Sequence, residues 1–500
     1  MWPNAPTTQR QRKPFPGRIA GIETEYGCFV RDESLGQPEA IVEAVKDYAF
    51  QNLRLGLIDI HDRSSAFEPA YSGGFLLNGG RLYVDEVGSH EEYATPECRS
   101  VFDLVAHERA GRLILQRILN DMGLADSVSF HNNSVDHFGG HTFGCHENYL
   151  FAADDAFFRR SLQLLLPFLV TRQIFAGAGR VAGHRLNRRD LKRNVMQLGE
   201  YPVDYVWVDN FYGVELDNSV DFQLSQRADH IVRAVSGRVR FNRAIINPKH
   251  DSFFDYGEYQ RLHLLFGEAN MNEYATALKI GTTMLVLDLL EVAAVPDEVM
   301  LGDPLQSLKS VSRDPTWKWP VERAAGGSIG SVDLQRIYLA RARDLFQNRD
   351  PDTDWILREW EATLNALEHD PQSLGDRLDW VAKRNMMELY IEDQGTSWRD
   401  DALHSLDMAY HDINSETGLF HDLERDGYAR KVIPNEKVRK AVTNAPVNTR
   451  AWGRARAIRR LMKDGVREYI IDWDGVYASG DRVLEMVNPF ANYDLETEQF

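Results

Sequence analysis

The feature of this 500-residue sequence that most limits its fold is an acidic residue at alternate positions of a strand-like segment. In GIETEYG, residues 21–27, Glu23 and Glu25 are two positions apart and therefore share one face of a strand. Two neighbouring carboxylates repel each other unless cations or hydrogen-bond donors lie between them. The segment predicts a strand whose acidic face is either exposed to solvent or part of a binding site.

A second segment, RLYVD, has the same alternation. Arg81, Tyr83 and Asp85 share one face of the predicted strand, and Leu82 and Val84 share the other, which can pack on a core. This pattern is also typical of a half-solvated strand with no further role.

A third polar face is predicted in GCHENYL, where His146 and Asn148 lie on one side of the strand. His146 can be a ligand or a hydrogen-bonded structural histidine, and both interpretations remain open. Cys145, on the opposite face, is best interpreted as packing rather than as a nucleophile. Three polar-faced strands together favour a functional sheet surface over three unrelated solvated strands.

Composition excludes several classes of protein. There are 57 Lys and Arg against 75 Asp and Glu, a net charge of −18, which argues against broad nucleic-acid binding. The three cysteines, Cys28, Cys98 and Cys145, form no CxxC motif, so we expect reduced thiols in a cytoplasmic protein. Asp288 and Glu291 interrupt the apolar run 284–295, so we expect no membrane span.

The ligand types point to nucleotide chemistry. Oxygen ligands without Cys/His metal-site spacing favour Mg²⁺ over zinc. Magnesium together with acids and an arginine suggests a nucleotide-phosphate site. The sequence has no GxxxxGK[ST] motif and no GxGxxG after a strand, so the sheet face itself is predicted to hold the nucleotide.

Along the chain, residues 1–17 are predicted to be a flexible tail. The segment 179–218 is irregular and charge-mixed, and we interpret it as an insertion. Amphipathic periodicity predicts helices over much of the second half, and a last compact unit is predicted from about residue 431 to the end.

A series of motifs carries a family resemblance that runs from residue ~18 to ~490. They are GIETEYG (21–27), NGGRLYVD (78–85), SHEEYATPEC (89–98), GCHENYL (144–150), PFLVTRQ (167–173), QLSQRADHI (223–231), RLHLLFGEANMNE (261–273), LDMAYHDI (406–413), NTRA (448–451) and IDW (471–473). The chain resembles the Pup ligase and Pup deamidase/depupylase family, relatives of glutamine synthetase and the carboxylate–amine ligases.

The resemblance implies an α+β fold. A large glutamine synthetase-like domain, here 18–430 with the insertion at 179–218, would carry a concave antiparallel sheet flanked by helices and would bind ATP and Mg²⁺. A small C-terminal domain, 431–500, would follow. The implied partners are a small disordered Pup-like modifier, lysine-bearing target proteins and, indirectly, the bacterial proteasome; no nucleic acid or membrane is expected.

The resemblance also implies roles for single residues. Glu23, Tyr83 and Glu92 match metal-site positions of the family. Glu25, beside Glu23 on the same face, is predicted to be an additional metal ligand or an acid next to the ligands.

Four further positions match functional residues of the family. Asp85 matches the catalytic aspartate, Arg81 and Thr95 match ATP contacts, and Trp473 matches a tryptophan near the nucleotide. Without the resemblance, Trp473 would be interpreted as core of the small C-terminal unit.

Three functions remain as alternatives: a ligase, a deamidase that also cleaves the isopeptide bond, and a non-catalytic binding protein. The residues of the GIETEYG and GCHENYL motifs favour the ligase, whereas SRDP (312–315) and LQRIYL (334–339) are similar to the deamidase branch. Glu86, directly after Asp85, and Lys249, at an arginine position of the family, depart from both enzymes. The complete set of Glu23, Tyr83, Asp85 and Glu92 argues against a binding protein without catalysis.

Overall fold

The structure is a computed structural model. It describes residues 17–58, 72–85, 90–136, 141–152, 155–186, 214–236, 243–248 and 259–500. The predictions made for the N-terminal tail, for Glu86 and Lys249, and for the middle of the 179–218 segment lie outside these ranges.

Within the described residues, ten strands form one large sheet. In chain order they are β1 (Ala20–Val30), β2 (Gly56–Ile58), β3 (Gly73–Leu76), β4 (Arg81–Asp85), β5 (His90–Ala94), β6 (Val128–His131), β7 (Cys145–Ala152) and, after the separate pair β8 (Arg180–Leu186) and β9 (Val214–Gln223), β10 (Arg233–Val235), β11 (Ala244–Pro248) and β12 (Tyr259–Leu264).

The long strand β1 lies in the middle of this sheet. The spatial order is β10-β11-β12-β7-β1-β5-β4-β3-β2, and β6 pairs with the second half of β1. All of these pairs are antiparallel except β10 with β11. The predicted α+β class with a large antiparallel sheet flanked by helices is therefore confirmed.

The segment 75–85 belongs to two strands, β3 and β4, rather than to one. The segment after Leu76 makes a tight turn in which the Gly79 amide donates to the Leu76 carbonyl at 2.9 Å. Gly79 has a φ of +81°, a conformation that a side chain disfavours, and a Cβ there would lie 2.9 Å from the Ala451 carbonyl. The glycine pair of NGGRLYVD thus makes a hairpin from β3 to β4.

Helices supply the rest of the core. In chain order they are α1 (Pro38–Gln51), α2 (Val101–Met122), α3 (Asp155–Thr171), α4 (Gln173–Ala176), α5 (Glu273–Glu291), α6 (Pro304–Arg313), α7 (Ser331–Phe346), α8 (Pro351–His369), α9 (Asp379–Gln394), α10 (Ala402–Tyr410), α11 (Leu419–Arg425), α12 (Asn435–Ala441), α13 (Arg450–Asp464) and α14 (Asp494–Gln499).

Two helices illustrate how the helical part of the core is built. α2 begins after Ser100, whose hydroxyl accepts from the Phe102 amide, and ends at Gly123, which has a left-handed conformation. α5 is buried at all 19 positions, so it is a core helix. No helix in the described ranges has both the length and the apolar character that a membrane crossing requires.

The C-terminal residues form a smaller sheet that packs on a separate hydrophobic cluster. β15 (Tyr469–Ile471), β16 (Gly475–Ala478) and β17 (Arg482–Glu485) are antiparallel and pack on α13 with Phe75 of β3. β13 (Pro320–Glu322) and β14 (Ser328–Gly330) form a separate hairpin earlier in the chain. The domain boundary at residue 431 stays a prediction, and Ile433, Val438 and Ala441, which follow it, pack in the core of the large part.

The irregular structure predicted for 179–218 is wrong at both ends of that segment. β8 and β9 pair there as an antiparallel ribbon, with a register shift between Val181 and Gly183. Most side chains of β9 up to Asp221 are exposed, so the strand shows no clear apolar alternation. A polar ribbon of this kind lacks the pattern by which a strand is identified.

A buried ion pair supports the back of the sheet. Glu147 of β7 accepts from Arg172, between α3 and α4, at 2.9 Å, and from the Tyr149 hydroxyl at 2.6 Å. Arg172 also donates to Thr283 of α5 at 2.5 Å, and neither charged side chain is more than 1% exposed. Burial opposes ionisation of Glu147, but the charge of Arg172 lowers the pKa of this carboxyl below its usual range.

We expect Glu147→Gln to lower the free energy of unfolding by roughly 3–5 kcal/mol, because it leaves a buried guanidinium without its counter-charge. The measurement is equilibrium urea denaturation. The control is Glu368→Gln, which breaks the exposed Arg336–Glu368 pair and should cost below about 1 kcal/mol. Equal effects of the two substitutions would contradict a supporting role for Glu147.

Candidate functional site

The pairing register of β1 brings the predicted polar residues to one face of the sheet. Glu25 lies opposite Glu92 of β5, and Glu92 lies opposite Tyr83 of β4. On the other side of β1, Glu23 lies opposite His146 of β7. Because directly opposite residues of antiparallel strands point to the same side, the five side chains form one surface.

Two groups on this surface have the composition of metal sites. The first, called the carboxylate cluster, consists of Glu25, Asp85 and Glu92, and each residue has an oxygen within 4.8 Å of the others. The second, called the histidine cluster, consists of Glu23, His146 and His263, and it meets the same distance limit.

Two acids of the carboxylate cluster, Glu25 and Glu92, have pKa values shifted in opposite directions. Burial raises the pKa of Glu92 well above its usual range, and the charges of Asp85 and Glu25 raise it further. Burial also acts against ionisation of Glu25, but its contact with His90, at 3.0 Å, lowers the pKa of Glu25 to about 2. The net effect of burial and neighbouring charge thus favours the ionised form of Glu25 and the neutral form of Glu92, although the two side chains lie side by side.

The histidine cluster surrounds Glu23 with nitrogen atoms. Its carboxylate lies 3.4 Å from His146 Nδ1 and 3.5 Å from His263 Nε2, and it accepts from Asn148 at 3.0 Å. Arg261 Nη1 lies 3.6 Å from the same carboxylate. These contacts hold the pKa of Glu23 well below its usual range, although burial opposes the shift.

His263 is the member that sequence reasoning missed. It is 3% exposed, and burial lowers its pKa to about 3, so the ring is neutral at physiological pH and able to bind a metal. Neither ring nitrogen has a hydrogen-bond partner among the described residues. The alternation of Arg261 and His263 with Leu262 and Leu264 indicates a strand with one polar face. Only the cross-strand register, however, shows that His263 lies opposite Asn148.

A cavity of about 250 Å³ lies against this surface, and it collects the predicted ATP contacts. Arg81, Thr95 and Trp473 all line it, together with Glu23 and Tyr83. The Arg81 guanidinium lies 4.6 Å from the centre of the Tyr83 ring, and Trp473 packs edge-to-face on Phe75. Thr95 Oγ1 accepts from the Ile22 amide at 3.0 Å, so its hydroxyl also joins β1 to the end of β5.

A buried acid joins this cavity to helix α13. Glu97 accepts from Arg450 Nε at 2.7 Å and from Arg454 Nη2. Arg454 in turn donates to the Trp473 carbonyl at 2.6 Å, and its guanidinium lies 4.8 Å from the Trp473 ring centre. The Glu97 contacts thus hold Trp473 at the cavity.

The Glu97 carboxylate should give stability that depends on pH. Burial opposes ionisation, yet the charges of Arg454 and Arg450 lower the pKa of Glu97 to about 2, against 4.5 for a free side chain. A depressed folded-state pKa stabilises the protein above pH ~4.5, and this contribution is lost as the pH falls towards 2.

We therefore expect the difference in unfolding free energy between the protein and Glu97→Gln to be largest at neutral pH, at about 3 kcal/mol or more. It should shrink steadily below pH ~4.5, as measured by urea denaturation at a series of pH values. A difference that does not change with pH would contradict an ionised Glu97 in the folded protein.

Comparisons with known proteins agree with one another. A family model described as Pup-ligase protein matches residues 18–477. The Pup–protein ligase of Gordonia bronchialis is 35% identical over 491 residues, which cover 95% of this chain and 97% of the relative. The Pup–protein ligase of Rhodococcus opacus is 34% identical over 496 residues, which cover 96% and 98%.

Two solved structures have the same fold. The complex of the prokaryotic ubiquitin-like protein Pup with its ligase PafA matches with a TM-score of 0.78 and 28% identity, over 97% of this chain and 91% of that chain. The Pup ligase PafA in complex with ADP matches with a TM-score of 0.72 and 28% identity, over 91% and 92%.

Proposed function

The chain belongs to the Pup-ligase family, and we propose that it is an ATP-dependent ligase that joins a small Pup-like modifier to lysine side chains of target proteins. The observation that carries the proposal is the surface of acids next to the cavity lined by Arg81, Thr95 and Trp473. The relatives that are Pup–protein ligases cover nearly the whole chain, so the ligase is favoured over the deamidase.

We propose that ATP binds in the cavity. A relative has been solved with ADP, which supports nucleotide binding in this fold. Arg81 supplies a fixed positive charge of the kind that phosphate groups require. Trp473 supplies an aromatic surface, which the contacts from Glu97 through Arg454 hold in place.

The residues present fit divalent metal ions. The carboxylate cluster offers only oxygen atoms, which Mg²⁺ prefers, and Tyr83 is hydrogen-bonded to its Glu92. The histidine cluster adds two imidazoles, which are ligands more typical of transition metals. When bound, the metal would neutralise phosphate charge during phosphoryl transfer.

The proposed reaction has two steps. The side-chain carboxylate of the modifier's C-terminal Glu takes the γ-phosphoryl group of ATP, which forms an acyl phosphate and ADP. A lysine amine of the target then attacks the acyl carbon, so that an isopeptide bond forms and phosphate leaves. The amine must first lose a proton, since its usual pKa is near ~10.4, and Asp85 is the proposed base.

The acidic surroundings of Asp85 suit this role. It belongs to the carboxylate cluster with Glu25 and Glu92, and it lies opposite His90 in the register of β4 with β5. Neighbouring negative charge also attracts the lysine ammonium.

We further propose that the protein works in the cytoplasm, where ATP is available, and that modified targets pass to a bacterial proteasome. The three free cysteines agree with a reducing compartment.

Replacing the proposed base tests the reaction. We expect Asp85→Asn to lower conjugate formation by about 100-fold or more, because the amine loses its proton acceptor, while ATP affinity changes little. Conjugate and ADP are measured by mass spectrometry after incubation with ATP, Mg²⁺, a lysine-bearing target and a modifier that ends in Glu. Asp103→Asn on α2 is the control and should leave the rate unchanged.

Three results would contradict the proposal in different ways. Full activity of Asp85→Asn would exclude Asp85 as the base. Loss of an amide from a modifier that ends in Gln, without conjugation, would identify a deamidase. Binding of the modifier without either reaction would identify a non-catalytic protein.

Replacing a proposed ligand tests the metal. We expect Glu25→Gln to raise the Mg²⁺ concentration for half-maximal activity by about tenfold or more, because the carboxylate cluster loses a charged oxygen ligand. Mn²⁺ binding, followed by electron paramagnetic resonance, should weaken in parallel. Glu39→Gln, an exposed acid of α1, is the matched control; equal metal affinity in the two variants would exclude Glu25 as a ligand.

A further inference from the structure

The outer face of the C-terminal sheet carries a row of exposed apolar side chains. Ile470, Tyr477 and Val483 lie directly opposite one another on β15, β16 and β17, and they are 43%, 37% and 57% exposed. The inner face of this sheet packs on the core, where Ile471 and Val476 are fully buried. The outer row therefore adds nothing to the core, and such a row on a sheet face is typical of an interaction site.

Tyr477 lies flat on this face. A Cβ added to Gly475 would come within 2.7 Å of the Tyr477 ring, so the ring covers the space that a side chain at 475 would need. The glycine thus allows an aromatic surface to spread across the sheet. We call Ile470, Tyr477 and Val483 the outer patch.

The charges around the outer patch are negative. Glu485 lies opposite Gly475 in the register of β16 with β17, and Asp472 and Asp474 lie between β15 and β16. Burial raises the pKa of the Tyr477 hydroxyl, and the charges of these three acids raise it further. Arg482 of the same sheet is paired with Asp464 at 2.8 Å and so does not compensate them. An aromatic ring with carboxylates around it is a surface that attracts lysine and arginine side chains.

The outer patch lies close to the candidate active site along the chain. The chain that leaves β17 reaches Val487, which is 56% exposed and lines the cavity together with Pro489. Val483 and Val487 are four residues apart, a span of at most ~14 Å. A protein seated on the outer patch can therefore present one of its own lysines to the cavity.

We propose that the outer patch is a docking surface for the target protein and that it selects targets with a basic, lysine-bearing surface. The inference rests on the proposed ligase function and names the substrate class of that site. A second copy of this chain is a poor occupant, because a symmetric contact would bring the same carboxylates of both copies together.

The test separates docking from chemistry. Conjugation is measured with a basic target, lysozyme, with an acidic target, α-lactalbumin, and with Nα-acetyl-lysine, which is too small to use the outer patch. We expect Glu485→Lys and Tyr477→Ala each to raise the KM for lysozyme about five- to tenfold, with kcat nearly unchanged. The kinetics with Nα-acetyl-lysine and the affinity for the modifier should stay as in the unmodified protein.

The matched control is Glu392→Lys, the same charge change on an exposed position of α9. Equal KM values for lysozyme in Glu485→Lys and Glu392→Lys would overturn the docking surface. If the outer-patch variants bound the modifier more weakly, the patch would be a modifier site instead. If they changed the oligomeric state, it would be a contact between copies of this chain. If the unmodified protein conjugates neither lysozyme nor Nα-acetyl-lysine, the ligase function itself fails, and the docking surface with it.

Discussion

The rest of this structure depends on the antiparallel pairing of β1 with β5, which holds two carboxylates, Glu25 and Glu92, directly opposite each other. Two neighbouring carboxylates disfavour each other's ionisation, and burial raises the free-energy cost of ionisation further. Two local effects offset this cost: His90 contacts Glu25, and the pKa of Glu92 is raised well above its usual range. Acids with perturbed pKa values often mark functional sites, and this observation supports the proposed cation site.

The other parts of the fold support that pairing from both sides. Behind the sheet, the Glu147–Arg172 pair and the fully buried helix α5 fix β7, which carries His146. In front, Glu97 binds two arginines of α13 and so brings Trp473 to the cavity. The acidic face is therefore supported by buried contacts on one side and borders the cavity on the other.

The sequence predicted the parts of the site that depend on a single strand. The period of two identified the common face of Arg81, Tyr83 and Asp85. The prediction was wrong for the ends of the 179–218 segment, where a mainly exposed ribbon has no apolar alternation. It also left His146 undecided, because one strand does not show what lies beside it.

The amino-acid sequence by itself determined the class of fold, the acidic face of β1 and the residue types that suit ATP chemistry, since these follow from local alternation and from the motifs. Only the tertiary structure decided which acids meet. It separated Glu23 and Glu25 into two clusters, gave Glu23 two histidines from β7 and β12, and brought Trp473 from nearly 400 residues away. The physical reason is that strand register and helix packing are set by the whole core, and a change of register by one residue would turn each of these side chains to the opposite face.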